Sequence, residues 1–189
     1  MGAKRRVEFP GAIYHVAARG NAQEAIYRDE VDYLRFLGAL ATTVSRFGWL
    51  CHSFCLIPNH YHLLVETPEP NLAKGMRILN GAYAQHFNGR HRRVGHVFQG
   101  PYKAQVVSRD GHLLETCRYL ALNPHRAGLG LNWPWSSYRA LAALEDAPSF
   151  LQLTFVRSLF DGPAGYRRFV ADGIESPRPG RDQVAAVPG

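Results

Sequence analysis

Three cysteines, Cys51, Cys55 and Cys117, and two methionines are all the sulfur this 189-residue chain carries. They form no Cys-x-x-Cys pair and leave one odd, which excludes a disulfide framework and points to a reducing compartment. Long apolar runs are missing as well. None approaches the roughly 18–20 residues that a membrane span needs, so no membrane partner is expected. The N-terminus, Met1 to Pro10, is basic but has no apolar stretch behind it, so no secretory signal is expected. Arg6 stands where a myristoylation signal has Ser or Thr. The expected setting is the cytoplasm. Lysine is nearly absent: all but Lys4, Lys74 and Lys103 of the 22 basic residues are arginine, against 15 acidic ones. The net charge of +7 favours a polyanionic partner, and the planar arginine fork matches phosphate. A G+C-rich genome would enrich arginine equally.

What is present is a globular composition, 46% apolar and 12% aromatic. That is enough for one well-buried domain and too short for two ordinary ones. Ala12 to Arg19 reads as a first strand, stopped by Gly20-Asn21. A helix follows from Asp29 and Asp32, with Leu34, Leu37, Leu40, Ala41, Val44 and Phe47 at helical spacing, and Gly48 closes it. Trp49–Leu56 and Tyr61–Glu66 are strands around the turn-forming Pro58-Asn59. A second helix starts near Asn71, with Leu72, Met76, Leu79, Tyr83 and Phe87 as its buried stripe. Gly89 to Arg93 should leave it as a basic loop. Val97–Gln99 and Ala104–Ser108 could pair across Gly100-Pro101, and a helix over His112–Leu122 ends at Pro124. The order β-α-β-β-α-β-α predicts an α+β, ferredoxin-like fold: an antiparallel sheet with packed helices. The main domain is expected over 1–145, a small helical C-terminal extension over 146–174, and a disordered Pro/Gly/Arg-rich tail over 175–189. No internal repeat is found.

His60 and His62 carry the chemistry of the first half. On a strand, residues i and i+2 leave the same face, so both imidazoles enter one space. The neighbouring run Leu63-Leu64-Val65 marks the strand as buried, where two polar rings are costly unless something satisfies them. In the second half, Tyr119 and Asn123 lie one helical turn apart on one face. Two imidazoles and an amide oxygen could hold a divalent metal beside a phenol: a nucleophile next to a Lewis acid. The phenol, with an ordinary pKa of roughly 10, would be helped by a metal that neutralises and aligns a phosphate. Each group has a plainer reading: hydrogen-bonded strand histidines, a core tyrosine, a helix-terminal asparagine. A zinc site of His52, Cys55, His60 and His62 is the rival, although its spacing fits no common finger. Glu115, one turn before Tyr119, could orient a ligand or simply form a salt bridge, and His96 could lie near the site. Arg90, Arg92 and Arg93 form the densest basic patch, and Arg5 and Arg6 belong to another. With Tyr102 and Lys103, the first patch suits a single nucleic-acid strand, offering phosphate contacts and stacking surfaces.

Several blocks of the sequence resemble a known family. They are Gly11-Ala-Ile-Tyr-His-Val-Ala-Ala-Arg-Gly-Asn21, Pro58-Asn-His-Tyr-His-Leu-Leu-Val-Glu-Thr67 and Gly95-His-Val-Phe-Gln-Gly100. Arg118-Tyr-Leu-Ala-Leu-Asn-Pro-His-Arg-Ala-Gly128 and Trp135-Ser-Ser-Tyr138 follow in the same order. Together they resemble the REP-associated tyrosine transposases, within the IS200-like single-tyrosine family of HUH nucleases. The resemblance implies metal-dependent cutting and joining of single-stranded DNA near REP or BIME hairpins, through a 5′-phosphotyrosine intermediate. It implies His60 and His62 as metal ligands, Asn123 as the third in place of the more usual Gln, Tyr119 as nucleophile, and Mg²⁺ or Mn²⁺ as the metal. It also implies hairpin DNA as partner, a nucleoid-associated location, and action as a monomer or a homodimer. Pro101 departs from the family pattern, which has an arginine there. Two other readings fit the same residues: a non-cleaving hairpin-binding relative, and metal-dependent hydrolysis without a covalent step.

Overall fold

The structure, a computed structural model, describes residues 8–108 and 111–175. Arg5, Arg6 and the expected tail lie outside the described residues, apart from Glu175, which closes a helix. Strand β1 (Ala12–Arg19) is followed by helix α1 (Glu30–Phe47). The Asp29 carboxylate accepts from the Asp32 N–H at 3.3 Å to start α1, and Gly48, at φ 65°, ends it. That left-handed geometry suits glycine. Strands β2 (Leu50–Ile57) and β3 (His60–Thr67) form a hairpin in which Ile57 pairs directly with His60. Then come α2 (Leu72–His91), β4 (Lys103–Val106) and α3 (Gly111–Arg126). The chain closes with α4 (Tyr138–Leu141), α5 (Leu153–Ser158) and α6 (Gly162–Glu175). The sheet runs β2-β3-β1-β4 with every pairing antiparallel, the expected ferredoxin-like arrangement.

Strand alternation sorts the core into two layers. Tyr14, Val16 and Ala18 of β1 and Tyr61, Leu63 and Val65 of β3 face α1 and α2. Ile13 and Leu64 face the other way, onto Leu113, Cys117 and Leu120 of α3. The C-terminal segment shares this second layer through Tyr138, Val156, Tyr166 and Val170. It is a backing for α3, which fixes where that helix lies on the sheet.

The first layer is tight at Gly75. A Cβ built there would meet Trp49 Cζ2 at 2.2 Å. The indole cannot swing away freely, because its Nε1–H donates to Asn71 Oδ1 at 2.6 Å and Asn71 in turn donates to the Phe47 carbonyl. Gly75→Ala is therefore expected to destabilise the fold by about 1–3 kcal/mol, despite the better helix propensity of alanine. Urea denaturation checks this, and an unchanged midpoint would contradict it.

Three local expectations are corrected. Val97–Gln99 does not pair with the segment after Pro101. Phe98 bridges Gly20, Lys103 pairs with Ala17 and Val106 with Tyr14, so both pieces run antiparallel along the same edge of β1. Between them the chain bulges at Gly100-Pro101, where a residue without an N–H loses no ladder bond. Helix α2 runs on through Gly89, Arg90 and His91, and Arg92 caps it at φ 51°. The acidic start of α1 explains the extension. Arg90 reaches Asp29 (2.7 Å) and Asp32 (2.9 Å), and His91 reaches Asp32 (2.8 Å). Pro124 lies inside the last turn of α3 instead of ending it. Closure comes at Gly128, φ 78°, with the Leu129 N–H donating to the Pro124 carbonyl at 2.9 Å.

Candidate active site

The layer under α3 turns polar toward one end of the sheet. Residues 60, 62, 64 and 66 of β3 share a face, and the register sets Arg19 opposite His60, Ala17 opposite His62 and His15 opposite Leu64. His15 is therefore the diagonal neighbour of His62, and Ala17 leaves room between them. The His15 Nε2 and His62 Nδ1 atoms lie 2.9 Å apart. Asn59, in the hairpin turn, contacts His60 Nδ1 through Oδ1 at 2.8 Å, so the turn that creates the hairpin also holds the first imidazole. The His60 and His62 rings are 5.0 Å apart between centroids.

From the other side α3 delivers the phenol. The Tyr119 ring packs edge-on against His62 at 5.3 Å and against His15 at 5.6 Å, yet it stays 38% exposed. One turn later Asn123 is buried, and its side chain hydrogen-bonds His60. The Arg126 guanidinium lies 6.0 Å from the Tyr119 centroid. Residues far apart in sequence thus meet in one corner of a single chain, open to solvent on the Tyr119 side.

Electrostatics keep the imidazoles neutral. Burial lowers His15 to about 4, helped by nearby His112. Burial also lowers His60 to about 4, with Arg19 adding to the effect and Asn123 opposing it. His62 is held well below the ordinary value by burial, then by His15, His60 and Arg19. Neutral imidazole is the ligating form. Sequence reasoning passed over His15, Arg19 and Asn59 as site residues. The signal was present in β1, where the polar His15 and Arg19 alternate with core residues Tyr14, Val16 and Ala18.

These shifts set a pH dependence for the metal-free protein. Above the unfolded value of about 6.5 the rings are neutral in both states and cost nothing. As pH falls from there toward 4, the unfolded chain takes up protons that the native state refuses, and stability is lost. His15 alone accounts for roughly 3 kcal/mol across that window; the more open His60 adds less than its shift suggests, because water screens it. Thermal melts in chelator should fall steadily between pH 6.5 and 4. A flat profile would refute neutral burial.

Fit to a metal can be judged from the donors. The His62 Nε2 atom is buried with no hydrogen-bond partner, while its other nitrogen faces His15. His60 likewise has its Nδ1 occupied by Asn59. His62 is thus held by one nitrogen and leaves the other unpartnered, the arrangement metal-ligating histidines show, while Asn123, hydrogen-bonded to His60, brings an amide oxygen to the same corner. The residues fit a divalent ion bound by two imidazoles and an amide. Among the described residues no three His, Cys, Asp or Glu side chains group to hold a metal, which removes the zinc alternative. His52 instead contacts Glu66 at 3.1 Å and packs on Phe155 at 4.3 Å. Three residues apart on a regular strand, His52 and Cys55 would face opposite sides, and here they do not. A bulge between Cys51 and Ser53 shifts the register there, so His52 meets Glu66 on the face where Cys55 lies opposite His62.

The remaining residues distribute as follows. Glu115 is ion-paired with Arg118 at 2.6 Å. His96 lines a groove of about 700 Å³ between α2 and the 95–102 segment, with Met76 and Arg77. Arg90 is engaged by Asp29 and Asp32, and Arg93 by Glu24 at 2.8 Å. Tyr102 is 7% exposed and belongs to the α1–α2 core. Arg92 and Lys103 are exposed. No helix among the described residues is long and apolar enough to cross a membrane.

Comparison with known proteins places the fold and the family. No curated protein matches the chain in sequence. Among solved structures, a REP-associated tyrosine transposase bound to a REP hairpin superposes with a TM-score of 0.65 at 15% identity, covering 82% of this chain and 94% of that one. A candidate transposase from Deinococcus radiodurans R1 gives 0.45 at 18% identity, covering 68% and 98%. Residues 9–123 match the family described as "Transposase IS200 like", and with more than half of its length inside that match the chain belongs to the IS200-like transposase family.

Proposed function

We propose that this protein is a metal-dependent single-stranded DNA endonuclease and strand transferase of the REP-associated, HUH single-tyrosine type, acting beside a hairpin. One observation carries the reading: the Tyr119 ring stands 5.3 Å from His62, delivered from a different element to the same corner. In the proposed reaction the Tyr119 oxygen attacks a backbone phosphorus. The new O–P bond forms as the bond to the 3′ oxygen breaks, giving a 5′-phosphotyrosine and a free 3′-hydroxyl. The phenolic proton is lost and the departing oxygen gains one. A returning 3′-hydroxyl reverses the exchange and joins strands.

His60, His62 and Asn123 would hold Mg²⁺ or Mn²⁺, which supplies charge neutralisation at the phosphate when bound. His15 and His62 pack against the Tyr119 ring and limit its swing. Arg19, opposite His60 at the end of β1, and Arg126 near the phenol offer cations for the phosphate and its neighbours. Of the basic residues read from the sequence, Arg92 and Lys103 remain available to a hairpin backbone; Arg90 and Arg93 would first have to leave their carboxylates. The hairpin itself is proposed from the resemblance and from the relative solved with one. All the named groups come from one chain, which supports action as a monomer.

The test is a labelled hairpin-bearing single strand incubated with protein and Mn²⁺ or Mg²⁺. A covalent protein–DNA band on a denaturing gel, absent with chelator, is the expected result. Cleavage with no such band would favour simple hydrolysis. Chelator-resistant binding without cleavage across several hairpins would favour a non-cleaving binding protein.

A further inference from the structure

The His15–His62 pair, with His62 buried and His15 partly so, has an asymmetry that the proposed chemistry leaves unused. His62 Nδ1 is 2.9 Å from His15 Nε2, while His62 Nε2 is buried and has no partner. One proton is shared across the contact, and its position decides what the far side of His62 presents. If His15 donates, His62 Nδ1 is the acceptor, its proton sits on Nε2, and a buried N–H faces nothing. If His62 donates from Nδ1, its Nε2 carries a lone pair and can bind a cation. Of the two, only the second gives the unpartnered nitrogen a use, and it requires His15 to carry its own proton on Nδ1.

We propose that His15 is a positioning residue that holds His62 in the Nδ1–H tautomer and so aims Nε2 at the divalent metal. The inference rests on the metal reading above. The geometry of β1 supports it: His15 reaches His62 diagonally because Ala17 lies opposite His62 and presents only a methyl group. His15 also touches Tyr119 at 5.6 Å between ring centroids. One side chain therefore sets both a metal ligand and the nucleophile's ring, without touching substrate itself.

Long-range ¹H–¹⁵N spectra of the metal-free wild-type protein at pH 7.5 read the tautomers directly. Nδ1–H is expected for both His62 and His15. Mn²⁺ titration followed by electron paramagnetic resonance then gives affinities for the whole chain. His15→Phe, which keeps a ring but has no acceptor, is expected to bind Mn²⁺ about 10–100-fold more weakly. His15→Gln, whose amide oxygen reaches about as far as Nε2, should recover most of that loss. A wild-type His62 with its proton on Nε2, or His15→Phe with wild-type Mn²⁺ affinity, would overturn the proposal. Wild-type protein that bound no Mn²⁺ would sink the metal reading, and the nitrogen spectra would still decide whether His15 orients His62.

Discussion

Tyr119→Phe will form no covalent DNA adduct and will lose cleavage by on the order of 10⁴-fold or more, the scale on which removal of a nucleophile acts. Its fold should hold. The contacts of Tyr119 with His62 and His15 are made by the ring, at 5.3 and 5.6 Å, and phenylalanine keeps the ring. The side chain is also 38% exposed, so the melting midpoint should move by no more than about 0.5 kcal/mol equivalent. Binding to a labelled hairpin should persist, because the cations at the site are untouched. The measurement is a denaturing gel in parallel with a thermal melt and a binding titration. Should Tyr119→Phe still cut at the wild-type rate, the phenol is not the nucleophile, and water attack becomes the better reading.

That prediction was open to the sequence alone because its ingredients are periodic. Histidines two apart on a strand share a face whatever the strand pairs with, and Tyr119 and Asn123 share a face on any helix. Strand and helix order sufficed for the fold, since β-α-β-β-α-β leaves few ways to make a compact antiparallel sheet. What failed to show were features that depend on neighbours. His15 gains meaning only once β1 is known to lie beside β3 in the register that sets Ala17 opposite His62. Arg90 reads as a free cation until α2 is seen to bring it against Asp29 and Asp32 of α1. Tyr102 follows Pro101 in a segment that looks like an exposed loop, but the edge pairing with β1 turns it into the core. The bulge in β2 defeats parity counting at His52, because one extra residue reverses every later side chain.

His60→Ala is the cleanest probe of the ligand set. His60 sits at the first position of β3, only partly buried, and its contacts are Asn59 on one nitrogen and the Asn123 amide. Truncating it opens a partly solvated gap, so the stability loss should stay near 1 kcal/mol. Losing a ligand should be far larger in function. If a bound metal supplies several kcal/mol of charge stabilisation at the phosphate, cleavage should fall on the order of 10³-fold. Mn²⁺ affinity should fall with it, and part of the rate should return at high Mn²⁺. His62→Ala should match that functional loss but cost more stability. Its ring fills buried space between His15 and Tyr119, and the cavity left behind adds roughly 1–3 kcal/mol. The two substitutions thus separate packing from ligation: similar catalytic defects with unequal melts are expected. Equal Mn²⁺ affinity in wild type and His60→Ala, with adduct formation intact, would remove His60 from the metal site and leave His62, Asn123 and Tyr119 without the partner that makes the corner a catalytic one.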